Sequence, residues 1–265
     1  MKSASSRRGP RQAVRTPDGL DQVYGIHALQ SLLDRGGAPR ELWLQQGAGS
    51  RLSELVAQAQ AGGARVKEQP RDLLDQLTQG AAHQGVVAFC PPLTPEGEES
   101  LWLKLRAWPS SMPPLLLILD GVTDVHNFGA CLRSADAAGA HGVIVAKDKA
   151  APLNATVRKV ACGAAEVVPV YQVTNLARTL AKLKDAGVWI TGTAGEAEAS
   201  IFDIDMTGPI ALVMGAEGKG MRRLTREACD NLAKLPMAGE VSSLNVSVAT
   251  GICLFEAVRQ RQLAS

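Results

Sequence analysis

The 265-residue sequence predicts an α/β protein of two domains, the larger one a mostly parallel sheet covered by helices on both faces. Three observations carry that prediction. Short aliphatic runs of strand length alternate with helix-period segments along most of the chain. The alternation is interrupted once, by a proline-rich stretch. The composition, 46% apolar and 20% charged, is that of a chain able to bury a core.

Residues 1–20 carry five basic side chains (Lys2, Arg7, Arg8, Arg11, Arg15) against one acid, Asp18. They read as a flexible basic arm able to touch an anion such as RNA, or equally as a solvated tail. Gly9-Pro10 and Pro17 interrupt the amphipathic helix that a transit peptide needs. The formal net charge is only +2, so once the arm is set aside the body is slightly acidic. A histone-like basic binder is excluded.

Residues 21–92 alternate helix-period segments at 28–33, 52–59 and 73–77 with strand candidates at 41–44, 64–66 and 85–89, a small α/β domain. Residues 93–113 replace the pattern with prolines, acids, Trp102 and Trp108, and read as a linker with one short helix at 98–107. The alternation resumes over 114–265. Strand candidates lie at 115–119, 142–145, 166–170, 188–191 and 210–214, with helices at 127–138, 153–162, 175–186 and 224–232. Strands that are aliphatic on both faces belong in a parallel sheet.

The longest fully aliphatic run is residues 115–119, whereas a bilayer span needs about 20 apolar residues, so no membrane helix is expected. The N-terminus has no apolar secretory core. Cys90, Cys131, Cys162, Cys229 and Cys253 are widely spaced and never form CxxC; they read as buried thiols in a reducing cytoplasm. His27, His83, His126 and His141 are scattered, and no metal site is expected. The first large-domain strand runs into DGVTDVHNFG, without the GxGxxG of a Rossmann turn. Gly218-Lys219 fails as a phosphate-binding loop, because Val213 and Gly220 stand where glycine and Ser/Thr are required. Neither GxSxG nor HExxH occurs, and ten aromatics do not form a base-stacking sheet.

Three polar, glycine-containing segments remain, each after a predicted strand or before a helix, where open α/β sheets hold ligands. In residues 120–139 Asn127 is placed to cap a helix, and Arg133 lies nearly two turns in among small residues. In residues 210–221 a buried-looking strand opens into three glycines around Glu217. In residues 235–258 the turn Ser242-Ser243-Leu244-Asn245 leads into a helix apolar on nearly all sides, which predicts burial in the core or against another subunit.

In this order the segments resemble motifs one, two and three of the SpoU (TrmH) family of RNA ribose 2′-O-methyltransferases, in the SPOUT superfamily. Residues 23–28 (VYGIHA) and His83-Gln84-Gly85 resemble that family's N-terminal, L30e-like substrate domain, so the likeness covers residues 21–261. Val125 departs from the pattern, where the family commonly has proline. The resemblance implies a SPOUT domain with a deep trefoil knot over 114–265 and an L30e-like domain over 21–92. It implies S-adenosylmethionine as cofactor, a homodimer that completes the site, and a guanosine in the peptidyl-transferase loop of 23S rRNA, free or in an assembling large subunit.

Carried over residue by residue, it places Thr193, Gly195, Gly215, Leu235, Met237 and Leu244 around the cofactor. Arg133 falls to hydroxyl activation, with Asn127, Glu217, Ser243 and Asn245 in its hydrogen-bond network. A guanidinium with a pKa above about 12 is a poor base, so we read Arg133 as a clamp on a neighbouring phosphate. Lys219, Arg222, Arg223 and Arg226, at helical spacing, read evenly as a solvated helix face or as phosphate ligands. Other readings are a tRNA or resistance-type rRNA methyltransferase of the same family, and a non-catalytic ribosome-assembly factor.

Overall fold

The computed structural model describes residues 17–109 and 111–264, so the basic arm lies outside the described residues over 1–16. The chain divides into units spanning residues 1–92 and 93–265.

In the first unit β1 (Asp21–Tyr24), α1 (Ile26–Asp34), β2 (Glu41–Gln45), α2 (Ser53–Ala61), β3 (Arg65–Gln69), α3 (Arg71–Leu77) and β4 (Val86–Cys90) follow in order. Their sheet runs β1-β4-β2-β3, with only β2 and β3 parallel. Every residue of β4 is buried: Val86, Ala88 and Cys90 pack into the core under α1 and α2, while Val87 and Phe89 meet Trp43 and Leu74 on the other face. The His83-Gln84-Gly85 sequence is a clasp. Gln84 Oε1 accepts the Ile26 N–H at 2.9 Å, satisfying an orphan donor at the start of α1. His83 takes the Gly85 N–H on Nδ1 at 3.1 Å and meets Asp75 through Nε2 at 2.9 Å.

The second unit begins with β5 (Glu96–Gly97) and α4 (Glu98–Arg106), then β6 (Leu115–Asp120), α5 (Val125–Ala137), β7 (Gly142–Ala146), α6 (Ala155–Val160), β8 (Val170–Val173) and α7 (Leu176–Asp185). It continues with β9 (Trp189–Thr193), β10 (Ala199–Ser200), β11 (Ile210–Gly215), α8 (Arg223–Glu227), β12 (Asn231–Lys234) and α9 (Val246–Ala264). The strands form one parallel sheet in the order β10-β12-β9-β11-β6-β7-β8-β5. The aliphatic run in β6 serves both faces. Leu115, Leu117 and Leu119 pack with α5 and α9, and Leu116 and Ile118 with α4 and α7. The proline-rich stretch is not free chain, since β5 pairs with β8 and Leu101 of α4 is buried.

Several elements differ from the sequence reading. The strand expected at 166–170 starts only at Val170, because the chain first makes a 3-10 turn (Ala164–Glu166) after Gly163, at φ 92°. The helix expected at 224–232 stops at Glu227. Asp230 then ties to β9 through Oδ2 to the Ile190 N–H and its own N–H to the Ile190 carbonyl, both at 2.9 Å, and so aligns β12 with β9. Tertiary pairing overrides local helix propensity there. Helix α9 is not buried all round: Val246, Thr250, Cys253, Leu254 and Ala257 face the core. Val248, Ile252 and Phe255, at 51%, 37% and 49% exposure, form an apolar stripe on the outside. Of the thiols Cys90, Cys131 and Cys253 are buried, but Cys162 is exposed and Cys229 half-buried. Burial pushes the Cys131 thiol up to about 11 and Cys253 to about 12, which leaves both inert.

His141 joins β6 to its surroundings: its Nδ1 accepts the Leu115 N–H at 2.9 Å, and its ring stacks edgewise on Trp108 at 4.4 Å. Burial, then the nearby Arg261 charge, lowers its pKa below the ordinary 6.5. The unfolded chain therefore binds the proton more tightly, so this contribution to stability is complete above about pH 6.5 and is lost on acidification. The melting temperature should fall as the pH drops below about 6.5, and less steeply in His141→Gln, as read by thermal unfolding across pH.

Candidate active site

Strand order places the site. The chain builds outward from β6 through β7 and β8, then crosses to β9 and returns to insert β11 between β9 and β6. That reversal is a topological switch point, where the loops leaving neighbouring parallel strands diverge and open a crevice. The loops after β6, β9 and β11 and the start of α9 meet there.

Asp120, at the carboxyl end of β6, is fully buried. Its Oδ2 accepts the Arg222 N–H at 2.8 Å and its Oδ1 takes the guanidinium. One carboxylate thus pins the loop after β11 to the end of β6. Asp124, not Asn127, caps α5: its Oδ1 accepts the Asn127 N–H at 2.8 Å. This frees the Asn127 amide to face Glu217.

Glu217 collects the three segments. Its Oε1 accepts from Asn245 Nδ2 at 2.8 Å, from Asn127 Nδ2 at 3.3 Å and from the Val246 N–H at 3.4 Å. Asn245 Nδ2 also reaches Asn127 Oδ1 at 2.9 Å, while Asn245 Oδ1 accepts the Ser247 N–H at 2.9 Å at the start of α9.

Two cavities meet at this carboxylate. The first, about 810 Å³, is lined by Thr193, Gly195, Gly215, Leu244 and Ser243, with Met214, Val246 and Ala249 among its apolar walls. Thr193 Oγ1 donates to the Val213 carbonyl at 3.2 Å, turning its methyl away from that bond. A Cβ on Gly215 would fall 2.4 Å from the backbone of Gly220 and Met221, so only glycine lets these two stretches close on each other. The second cavity, about 550 Å³, lies against Asp120, Thr123, Asn127 and Lys149, and shares Glu217 and Lys219 with the first.

Other expected residues stand elsewhere. Leu235 packs against the core and Met237 is exposed, and neither lines the first cavity, because the chain enters it only at 242–246. Ser243 lines that cavity without joining the Glu217 network. Arg133 lines neither cavity: its Nη1 donates to Cys162 Sγ at 3.6 Å, and it has no ion pair among the described residues. The basic cluster is not one face. Arg222 is held by Asp120, Arg223 by Glu227 four residues on, and Arg226 by Glu196 at the lip of the first cavity; Lys219 alone of the four is unpaired among the described residues. Asp120, Asp124, Lys149 and Glu196 were missed. A lone acid closing an aliphatic strand is the signal that should have found Asp120, since a buried carboxylate needs a partner.

The fold and this convergence define a class, and comparison with known proteins gives the same class. The SpoU rRNA Methylase family model matches residues 114–255, and a model described as RNA 2′-O ribose methyltransferase substrate binding matches residues 22–96. The chain belongs to the SpoU rRNA methylase family. It is 58% identical to the 23S rRNA (guanosine-2′-O-)-methyltransferase RlmB of Pseudomonas putida over 92% of this chain and 98% of that one. The enzyme of the same name from Escherichia coli K12 is 56% identical, covering 91% and 99%. Among solved structures, the AdoMet-bound rRNA methyltransferase of Sinorhizobium meliloti aligns with a TM-score of 0.74 at 26% identity, covering 91% and 87%. The SpoU methyltransferase AviRb of Streptomyces viridochromogenes in complex with AdoMet gives 0.73 at 28%, covering 92% and 91%.

If Asp120 is the pin between β6 and β11, Asp120→Ala should lower the free energy of unfolding by about 2 kcal/mol in urea denaturation, the scale of a hydrogen bond to a charged group.

Proposed function

We propose that this chain transfers a methyl group from S-adenosylmethionine to the ribose 2′-hydroxyl of a guanosine in 23S rRNA, in the peptidyl-transferase loop. The observation that carries this is the Glu217 carboxylate at the junction of two adjoining cavities, one for cofactor and one for acceptor. The names of the curated relatives, at 58% and 56% identity over nearly the whole chain, support the same substrate.

The first cavity suits the cofactor. Its volume lies in the range of about 300–1,000 Å³ of small-molecule sites. Apolar walls and close glycine backbone suit an adenosine, and Glu217 on the lining presents a carboxylate to a cationic ligand, Glu196 being already paired with Arg226. When bound, S-adenosylmethionine supplies an electrophilic methyl on sulfur. Asn127 on the second cavity and Asn245 on the first, joined through Glu217, orient the ribose where the two cavities meet. Arg133 clamps the neighbouring phosphate and stabilises the developing alkoxide through its forked donors.

Arg133 stands apart from both cavities of its own chain, and α9 exposes an apolar stripe beside the motif-three turn; both support a homodimer in which a second copy completes the site. The C-terminal segment is proposed to thread as a trefoil knot, in keeping with the family resemblance. The described residues contain no helix long and apolar enough to cross a membrane.

The test is methylation of a 23S rRNA fragment, mapped by 2′-O-methyl footprinting, with S-adenosylmethionine binding followed by calorimetry. Arg133→Lys keeps the charge and loses the fork, so turnover should fall at least about 100-fold while cofactor affinity holds; near-normal turnover removes Arg133 from the mechanism. Phe255→Glu, on the apolar stripe, should move the mass in light scattering from dimer to monomer and lower methylation with it.

A further inference from the structure

We propose that Lys149, with Lys219, grips RNA phosphate beside the target nucleotide, making the loop at residues 147–151 an acceptor-positioning element. The inference rests on the methyl-transfer reading above and names a part of that site which the family motifs do not contain.

The first observation is position. Lys149 lines the second cavity and not the first, so its partner belongs to the acceptor side and not to the carboxylate of the cofactor. Lys219, from the loop after β11, borders both. Two cations therefore reach the acceptor cavity from different loops.

The second observation is that the backbone is forced. Lys149 has φ 59°, a left-handed conformation that a lysine seldom adopts, and only three other non-glycine described residues share it. Such a residue persists where its surroundings over-determine it. Both ends of the loop are fastened: the Lys147 N–H bonds to the Val173 carbonyl at 2.8 Å, and the Ala151 N–H to the Val122 carbonyl at 2.9 Å. The second bond ties the loop directly to the motif-one segment, so Lys149 is held in register with Asn127.

The third observation is that the charge is free. Among the described residues neither ammonium has an ion pair or a side-chain hydrogen bond. Arg222, the remaining cation on that wall, is already occupied by Asp120. An unpaired ammonium carried on a fastened loop at a cavity wall is a point charge suited to an anion, and the anion that accompanies a ribose in RNA is its phosphate.

Lys149→Asn removes the charge while keeping a residue that tolerates left-handed backbone; Lys149→Arg keeps the charge. Thermal unfolding checks that both fold. The probe is a 23S rRNA fragment containing the peptidyl-transferase loop, with binding measured across salt concentrations. Lys149→Asn should weaken RNA binding about 5- to 10-fold and flatten the slope of log Kd against log salt by roughly 0.7–0.9, one phosphate contact. In turnover the loss should fall on KM more than on kcat. Lys149→Arg should restore both, and calorimetry should find cofactor affinity unchanged. Equal affinity and salt slope in Lys149→Asn and wild type would overturn the proposal, as would an equal loss of cofactor binding. A wild-type protein that binds this fragment without methylating it would overturn the substrate reading instead, while the salt slopes still decide the role of Lys149.

Discussion

One carboxylate holds the site together. Glu217 accepts donors from the start of α5 and the start of α9 while sitting on the loop after β11, so three segments separated by up to 118 residues share a single oxygen. Glu217 and Asn245 are solvent-exposed and Asn127 half-buried, so the network acts by orienting side chains and adds little to the stability of the fold. Asn245 donates to Asn127 and Glu217 and accepts from Ser247, and Asn127 donates to Glu217 while accepting from Asn245. Those bonds fix the two asparagines relative to each other, the preorganisation that the proposed reaction requires.

The sheet makes this meeting possible. Parallel strands deliver all their carboxyl ends to one edge, and the insertion of β11 between β6 and β9 puts the Asp120 and Gly215 ends side by side. Asp120 then locks the outgoing loop back onto the sheet through Arg222. The cost is an arginine that sequence alone would have offered to RNA. Its neighbours Arg223 and Arg226 are likewise engaged by Glu227 and Glu196.

Periodicity revealed the architecture well, because β6, β7 and β11 are aliphatic on both faces and leave no other reading. It failed where tertiary contacts outvoted propensity, as at Asp230, where the second half of an expected helix gives way to a turn into β12. Within the site, the motif segments pointed to Asn127, Glu217 and Asn245, which the fold brings together. They gave no access to partners supplied by distant loops. Nothing local marks Glu196 as the mate of Arg226, or Lys149 as a wall of the second cavity. The assignment of the α5 cap to Asn127 erred by three residues, since an asparagine and an aspartate both suit that place and only the structure separates them.

The last helix has a consequence beyond packing. Asn245 sits at the head of α9, and the stripe of Val248, Ile252 and Phe255 begins less than a turn later on the same rigid rod. Whatever covers that stripe sets the position of the residue that completes the Glu217 network. In a dimer joined there, association would tighten the polar network and ligand binding would in turn favour association, so the two equilibria are linked. Dilution would then loosen the site before the fold itself gives way, and specific activity would depend on protein concentration.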